Sequence, residues 1–283
     1  MRFLIFAIAV ALAFPQDAPK PDLSWNLKAG EPVRYELEKT TVILRKTGDL
    51  DMKMKLGLVL EAGARDAEGK LPLRFRIDRV GMSGKGDKDD EDYDSDRDKA
   101  APKHPALHLM AGCLHGEFEA RLSRQGNVSG VQGLREILQN SADNVPAMKD
   151  SGDKEVASRF ASSIDQILQE AFCLAPGKAL AKSDAWDASP GAIAYGNGET
   201  TLRIKSTVKD IRGGEAVIER TLTLDFTGDQ RNPEGKGSGK GEVVWSTERG
   251  LPLSGQWEYS VTTSRGETRN TFSLKLAPRP AKK

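Results

Sequence analysis

Residue types that build most catalytic and metal sites are scarce in this chain. Its 283 residues include two cysteines and three histidines. The sequence contains neither a G-x-S-x-G nucleophile motif nor a G-x-x-x-x-G-K-[ST] phosphate-binding loop. We therefore expect a protein that is not an enzyme and that uses no cofactor.

An excess of charge of one sign is also missing. Lysine and arginine total 42, against 41 aspartates and glutamates. Nucleic-acid binding calls for a basic domain or stripe, so we expect no nucleic-acid partner. The chain is 38% apolar and 29% charged, which is typical of a globular protein with a real core.

Long apolar runs are missing too, apart from the first stretch, MRFLIFAIAVALAF. This run has one early arginine and ends with Ala11 and Ala13 in the small-x-small arrangement of a signal-peptidase site. It is shorter than the ~20 residues that a membrane-spanning helix needs. We predict a cleaved signal peptide over residues 1–13, a Pro-rich linker over 14–24, and export to the periplasm or the extracellular space.

Export bears on the two cysteines, because an oxidising compartment permits them to pair. A bridge between Cys113 and Cys173 would close a loop of about 60 residues and would stabilise the fold by roughly 4 kcal/mol. Two buried free thiols are the alternative. Spacing along the chain does not decide between them, because it carries no geometry.

Alternation of apolar and polar residues dominates the chain from Val33 onward. Such a period of two is typical of strands with one buried and one solvated face. Gly213 and Gly214 separate two such segments and predict a hairpin turn. The alternating segments begin near Val33, Met52, Leu71, Phe118, Leu202, Leu222, Val243, Leu253 and Phe272.

Helical spacing replaces this alternation in the middle of the chain. Leu134, Ile137 and Leu138 begin one helix, and a second apolar stripe runs from Val156 to Ala171. Polar residues fill the opposite face of the second helix. The two helices interrupt a series of predicted strands.

These patterns together predict one β-rich (α+β) domain over residues 25–277. It contains a curved antiparallel sheet or half-barrel, a central helical insertion at about 131–174, and a basic tail at 278–283. About nine strands would span about 43 Å, whereas two helices cover only about 20 Å. Either the sheet curls and packs on itself, or a hollow remains between the sheet and the helices.

Such a hollow would accept a hydrophobic small molecule or lipid. Methionine and aromatic side chains suit adaptable apolar contacts, and they suit a closed core equally well. The residues predicted to contact the ligand are Met54, Leu56, Leu73, Phe75, Phe160, Ile164, Leu224, Phe226, Trp257 and Tyr259.

An acidic stretch, GKGDKDDEDYDSDRDK from Gly84 to Lys99, has the alternating aspartates of a calcium loop. A helix-loop-helix calcium site requires glycine at its sixth position and glutamate at its twelfth. Counted from Asp92, these positions hold Arg97 and Lys103. We interpret the stretch as a solvated acidic loop.

The segment HPALHLMAGCLH, from His104 to His115, holds every histidine together with Cys113. His104 and His108 would share a helix face if a helix began at Pro105. No carboxylate lies within the segment to complete a catalytic zinc site. We expect a connecting turn here and no metal ion.

A glycine-rich stretch, GKGSGKGE from Gly235 to Glu242, resembles a phosphate loop in composition only. It joins two predicted strands, whereas a phosphate loop opens a helix. We predict a flexible hairpin connection.

Four short segments together resemble a family of exported bacterial proteins of unknown function. They are WNLKAGEPVRY, DYDS, GNVSGVQG and DAW. The resemblance implies export and a β-rich architecture, with Tyr93 and Ser95 in a short strand whose aspartates face solvent. A looser likeness, of fold alone, is to the half-barrels of periplasmic lipoprotein carriers.

Three functional hypotheses remain open at this point. The first is a non-enzymatic exported protein that binds or carries a hydrophobic ligand in the cell envelope. The second is an envelope protein that binds other proteins or serves a structural role. The third, a metal-dependent or hydrolytic enzyme, would require the histidine segment.

Overall fold

A single antiparallel sheet of twelve strands makes up most of the described protein. The structure, a computed structural model, describes residues 20–44, 48–85, 91–100, 102, 105–124, 126–143, 153–172, 175–195, 198–227, 234–264 and 266–278. The strands are β1 Val33–Leu44, β2 Leu50–Ala62, β3 Leu71–Lys85, β4 Glu91–Asp94, β5 Glu117–Leu122, β6 Val128–Gln132, β7 Ala185–Tyr195, β8 Gly198–Arg212, β9 Glu215–Thr227, β10 Gly235–Ser246, β11 Leu251–Thr263 and β12 Gly266–Leu276. The helices are α1 Pro105–Ala111, α2 Leu134–Asp143 and α3 Asp153–Phe172.

Two antiparallel meanders meet in the middle of this sheet. The strand order is β6-β5-β3-β2-β1-β12-β11-β10-β9-β8-β7, and β4 pairs with the end of β3. The meanders join where β1 pairs with β12, with Leu37 opposite Leu274. The predicted antiparallel architecture is confirmed. Among the described strands, β6 and β7 are the edges of the sheet, which does not close into a barrel.

The long helix α3 contacts both edges of the sheet, β6 on one side and β7 on the other. A flat sheet of eleven consecutive strands would hold its edges about 48 Å apart, which is far wider than a helix. The sheet must therefore curl around α3. The predicted curl is present, but the sheet packs on α3 rather than on itself.

Alternation along the strands separates a buried face from a charged one. Leu37 of β1 lies between Leu56 of β2 and Leu274 of β12, and all three side chains are buried. We call this side, which packs on α3, the inner face. The next residue, Glu38, points to the outer face and forms a 2.6 Å ion pair with Lys53. The period of two in the sequence is confirmed.

An aromatic cluster fills one end of the curled sheet around Phe172, the last residue of α3. The ring centroids of Trp25, Tyr35 and Phe75 lie 5.4, 5.9 and 5.8 Å from that of Phe172. The Trp25 indole also donates a 3.2 Å hydrogen bond to the Phe172 carbonyl oxygen, which lacks an intrahelical partner. This cluster anchors the C-terminal end of α3. We call this end of the sheet the closed end.

The glycine-rich stretch is a regular strand, not a flexible connection. It forms the first half of β10 and pairs along its length with β9 and β11. Gly239 and Gly241 lie opposite Tyr259 and Trp257, and an added Cβ at either glycine would overlap those side chains. The prediction of a hairpin connection was therefore wrong. The glycines leave space for the large side chains of the neighbouring strand.

The helices only partly match the predicted insertion. Helices α2 and α3 lie within residues 131–174, but α1 precedes that range and β5 and β6 pair with the sheet between α1 and α2. The helices of the described residues include none that combines the length and apolarity of a membrane span.

The folded part begins earlier than predicted. Leu23 is fully buried, its backbone NH donates to Lys178 O, and Asp22 forms a β-bridge with Ala179. These residues fell within the predicted linker. The predicted signal peptide and the last five residues lie outside the described part of the chain.

Candidate functional site

The strand residues predicted to contact a ligand do meet on the inner face. Most of them are closed off in the core, with exposed fractions of 5% or less. Those buried residues are Leu56, Leu73, Phe75, Ile164, Leu224, Trp257 and Tyr259. Met54 and Phe226 are half-buried, and the side chain of Phe160 lies outside the described part of the structure. The buried residues fill the interior with one another and leave almost no surface for a ligand.

Ring stacking shows how tightly that interior is filled. Trp257 stacks on Phe272 at 4.3 Å, and Phe75 stacks on Phe118 at 4.9 Å. Both pairs join neighbouring strands on the inner face. Such stacked aromatic pairs are typical of a packed core rather than of a hollow.

A different part of the inner face remains partly exposed. At the opposite end of the strands from Phe172, apolar side chains that point inward stay half-buried, and three of them, Met54, Met82 and Val261, pack against the core. Register places them together, with Met54 opposite Met82. We call this group the inner patch, and it comprises Ile43, Met52, Met54, Met82, Phe226 and Val261.

A lysine separates the inner patch from the closed end. Lys39 lies on the inner face of β1, between Met54 of β2 and Phe272 of β12, and its side chain is 15% exposed. Its ammonium nitrogen is 3.9 Å from Oε1 of Glu170 in α3. The Tyr259 hydroxyl donates a 3.0 Å hydrogen bond to the same oxygen. A polar contact therefore joins α3 to the middle of the sheet.

A buried arginine also contacts the turn of α3 that contains Glu170. Arg220 of β9 is 1% exposed, and its guanidinium carbon lies 4.7 Å above the Trp257 ring. Its Nη1 donates to the Glu170 carbonyl oxygen at 3.4 Å. A cation near the last carbonyls of a helix is stabilised by the helix dipole. Arg220 reaches Trp257 because Gly241, which lies between them on β10, has no side chain.

The other side of α3 binds the sheet edge through a glutamine. Gln169 Nε2 donates a 2.6 Å hydrogen bond to the Val128 carbonyl of β6. Asp165, one turn earlier, interacts with Gln169, and burial raises the pKa of the Asp165 carboxyl. This contact belongs to the β6 edge, whereas Lys39 and Arg220 act on the centre of the sheet.

Sequence reasoning missed these charged residues, although a signal was present. Lys39 lies between Leu37 and Thr41 in the alternation, at a position that the period of two assigns to the inside. Arg220 lies in the same way between Ile218 and Leu222. A charged residue at an inward position is a better indicator of a special site than another apolar one.

Arginines form ion pairs with the described aspartates of the acidic stretch. Asp94 makes a 2.7 Å ion pair with Arg79, and this bond lowers the pKa of the Asp94 carboxyl. Asp92 pairs with Arg97 at 2.8 Å. Tyr93 is in β4, as the family resemblance implied, but β4 ends at Asp94, so Ser95 lies in the following turn. Asp92 faces solvent as expected, whereas the side chain of Asp94 is only 16% exposed. Asp96 and Asp98 also pair with Arg79 and Arg97, so four aspartates of the stretch face protein cations.

The first part of the histidine segment forms helix α1, and the predicted turn is confined to residues 112–115 after that helix. Nδ1 of His108 lies 3.3 Å from the Pro102 carbonyl oxygen, and His115 is exposed with a positive φ of 65°. His104 lies outside the described residues. Within the described ranges, no three histidine, cysteine or carboxylate groups come together as metal ligands.

Cys113 is a buried free thiol in this structure. Its Sγ donates to the Leu109 carbonyl at 3.5 Å, and burial raises its pKa to about 12. Cys173 lies outside the described residues, so the bridge between them stays a prediction.

Two open clefts lie elsewhere on the described surface. One, of about 350 Å³, lies between α1 and α2 and is lined by His108, Gly112, Ile137, Asn140 and Ser141. The other, of about 410 Å³, is lined by Glu31, Arg249, Leu276, Ala277 and Pro278. Neither includes a residue predicted to contact a ligand.

Comparison with solved structures shows a shared fold at low identity. Lipovitellin, in a structure concerned with lipid–protein interactions, matches with a TM-score of 0.51 and 10% identity over 91% of this chain. The chain spans about a quarter, 26%, of the lipovitellin chain. At this identity the likeness shows the fold alone.

Two other structures match with a TM-score of only 0.22. DynF from the dynemicin pathway of Micromonospora chersina is 6% identical over 94% of this chain and 88% of its own. A DUF1329 protein from Desulfovibrio piger is 9% identical over 88% and 87%. No curated protein sequence matches the chain.

One family model covers residues 68–252, which extend from just before β3 through the helices to the start of β11. The matched range includes α3, Arg220 and the glycine-rich strand. It also includes the DYDS, GNVSGVQG and DAW segments that carried the family resemblance in the sequence. The chain belongs to the family of unknown function DUF6263.

Proposed function

We propose that this protein binds a hydrophobic ligand on the inner face of its curled sheet, at the inner patch. One observation carries the proposal: inward-facing apolar side chains are half-buried at one end of the strands and fully buried at the other. The contrast lies within single strands, since Leu56 is 2% exposed while Met54 stays half-buried. Exposed apolar side chains at one end of an otherwise buried face favour an apolar partner.

The composition of the inner patch suits a ligand of variable shape. Met52, Met54 and Met82 contribute three flexible and polarisable thioethers, and Phe226 adds an aromatic ring. Each Å² of apolar surface removed from water contributes about 25 cal/mol. A ligand with an alkyl chain therefore gains affinity along the whole patch without a specific hydrogen bond.

The likeness to lipovitellin supports this proposal at the level of fold. That protein's structure concerns lipid–protein interactions, and the match covers 91% of this chain. The apolar run at residues 3–14 adds the proposal that the ligand is carried in the cell envelope after export. No chemical step is part of this function.

Uptake of a neutral apolar fluorophore tests the proposal. N-phenyl-1-naphthylamine should fluoresce in the presence of the protein, and Met54→Gln should weaken its binding severalfold, because a polar amide then faces the patch. Lys53→Gln is the matched control, since Lys53 is the preceding residue and faces outward to Glu38. Absence of uptake, or equal loss in the two variants, contradicts an inner-face site.

Native mass spectrometry of protein purified from its source distinguishes ligand carriage from protein binding. A small apolar molecule that co-purifies supports ligand carriage. A stable complex with another protein, released by Met54→Gln, would instead support the second hypothesis, in which the patch is a protein interface.

A further inference from the structure

We propose that the ligand is a single-chain amphiphile with a carboxylate head, and that Lys39 binds this head. The inference rests on the proposed function, because the alkyl chain would lie along the inner patch. It adds a polar recognition element and an orientation: the head lies at the middle of the sheet, and the chain extends along β1 toward Ile43.

The position of Lys39 defines where a ligand ends. On β1, the next inner residue toward the closed end is Leu37, which is 3% exposed, so the interior is filled from there on. In the other direction come Thr41 and Ile43, which are half-buried. Met54 of the patch lies directly opposite Lys39. A chain lying on the patch therefore has its inner terminus beside the Lys39 ammonium group.

The charges around Lys39 favour an anion there. The described ionisable side chains at the centre of the inner face include two cations, Lys39 and Arg220, and one anion, Glu170. Arg220 is engaged by the Glu170 carbonyl and the Trp257 ring. These described groups carry one positive charge in excess. A low-dielectric site with such an excess gains from a monoanion that enters it.

Lys39 also lies over an aromatic ring, 5.8 Å from the Tyr259 centroid, but it is the more exposed of the two cations. Its nitrogen is 3.9 Å from Glu170 Oε1, which is within ion-pair range but beyond hydrogen-bonding distance. The closer contact to that oxygen belongs to Tyr259, at 3.0 Å. The Lys39 side chain also keeps 15% of its surface exposed. An incoming carboxylate can thus take hydrogen bonds from the ammonium group without breaking one to Glu170.

A second donor group lies one step toward the patch. Asn270 of β12 is directly opposite Thr41, and its Oδ1 accepts a 2.8 Å hydrogen bond from the Thr41 hydroxyl. The amide NH2 group of Asn270 therefore complements Lys39 as a donor to a carboxylate. Carboxylates accept several hydrogen bonds, so a lysine and an amide together suit this head group.

Displacement of N-phenyl-1-naphthylamine by laurate and by 1-dodecanol, both below their micellar concentrations, tests the inference. The two compounds share a chain length and differ in the head group. We expect laurate to displace the probe from the wild-type protein at lower concentration than dodecanol. Lys39→Met should weaken laurate binding about tenfold, the effect of losing one charged hydrogen bond, and leave dodecanol nearly unchanged.

Two further variants make the result specific. Lys39→Arg keeps the charge and should retain the preference for laurate. Lys53→Met removes an outward lysine of the neighbouring strand and should change neither ligand's binding. Both variants should bind the neutral probe as the wild type does.

Other outcomes separate this inference from the proposed function. Equal displacement by laurate and dodecanol in the wild-type protein, or equal weakening of both by Lys39→Met, overturns the role of Lys39 and leaves the apolar site standing. A wild-type protein that binds neither compound nor the probe overturns both proposals. If Lys39→Met does not fold, the comparison of laurate with dodecanol in the wild type and in Lys39→Arg still tests the role of Lys39.

Discussion

Arg220 lies 4.7 Å above the ring of Trp257, across a strand that has no side chain between them. The two residues belong to β9 and β11, and Gly241 of β10 is opposite both. The bare strand lets the neighbours converge, so that a buried cation can lie against an aromatic face and still reach the last turn of α3. Packing of the helix thus depends on a glycine in the sheet.

We predict that Gly241→Ala destabilises the protein by about 1 to 3 kcal/mol, because the new methyl group overlaps Trp257. Urea denaturation followed by tryptophan fluorescence measures the change. Gly84→Ala is the control, since a Cβ there meets only Asp51 O at 3.8 Å. Equal stability of the two variants would show that the strand tolerates side chains.

We predict that Arg220→Ala costs about 2 to 4 kcal/mol of unfolding free energy, because it removes a hydrogen bond from a charged donor and a buried cation–π contact. Arg203→Ala, on the outer face of β8, should cost less than about 1 kcal/mol, since its ion pair with Asp225 is exposed. Thermal melts of both variants test this ranking. Similar losses would mean that Arg220 does not anchor α3.

The Asp94–Arg79 pair predicts a pH dependence. Arg79 holds the folded-state pKa of Asp94 below its ordinary value of 3.8. The pair therefore stabilises the fold above pH 3.8, and its contribution is lost as the pH falls through the lower folded value. Melting temperatures of Asp94→Asn should lie below those of the wild type at neutral pH and converge with them in acid. A constant difference at all pH values would contradict this.

Cys113 should resist thiol reagents in the folded protein, because it is buried and its pKa is raised to about 12. In denaturant without reductant, mass spectrometry should find the label on Cys113, as expected for a free thiol. A label that appears only after reduction would instead establish the predicted bridge to Cys173.

Export predicts a mature chain that starts near Phe14, because Ala11 and Ala13 fit a signal-peptidase site. Intact mass of material collected outside the cytoplasm measures this. Retention of Met1 in that fraction would contradict the prediction.

Strands with large alternating side chains could be predicted from sequence, and strands of small residues could not. The segments from Val33, Met52 and Leu71 gave clear periods of two and are β1, β2 and β3. Strand β7 reads AWDASPGAIAY and β10 begins GKGSGKG, so these stretches have too few large apolar residues to show the period. The segment that was predicted from Val243 is only the last part of β10. Pairing with β8, β9 and β11 determines their structure instead.

The sequence assigned the residues predicted to contact a ligand to one face of the sheet, but it did not give their burial along the strands. Alternation assigns Leu56 and Met54 equally to the inside, and nothing in the sequence shows that one is buried and the other half-buried. That difference depends on what packs over each residue in the folded chain, which alternation does not show. The role of Glu170 was equally hidden, since a polar residue on an amphipathic helix is ordinarily assigned to the solvent side.

Pairing of β1 with β12 means that the centre of the sheet is made from strands near opposite ends of the chain. Contacts of such large sequence separation form late, since the loop they close is long, and they slow folding. Each meander can assemble from neighbouring hairpins, but the seam between them waits for the last strand to be synthesised. Until then the edge of β1 that pairs with β12 has unpaired backbone groups, which can pair with another chain. The incompletely synthesised chain is therefore the form most prone to aggregate.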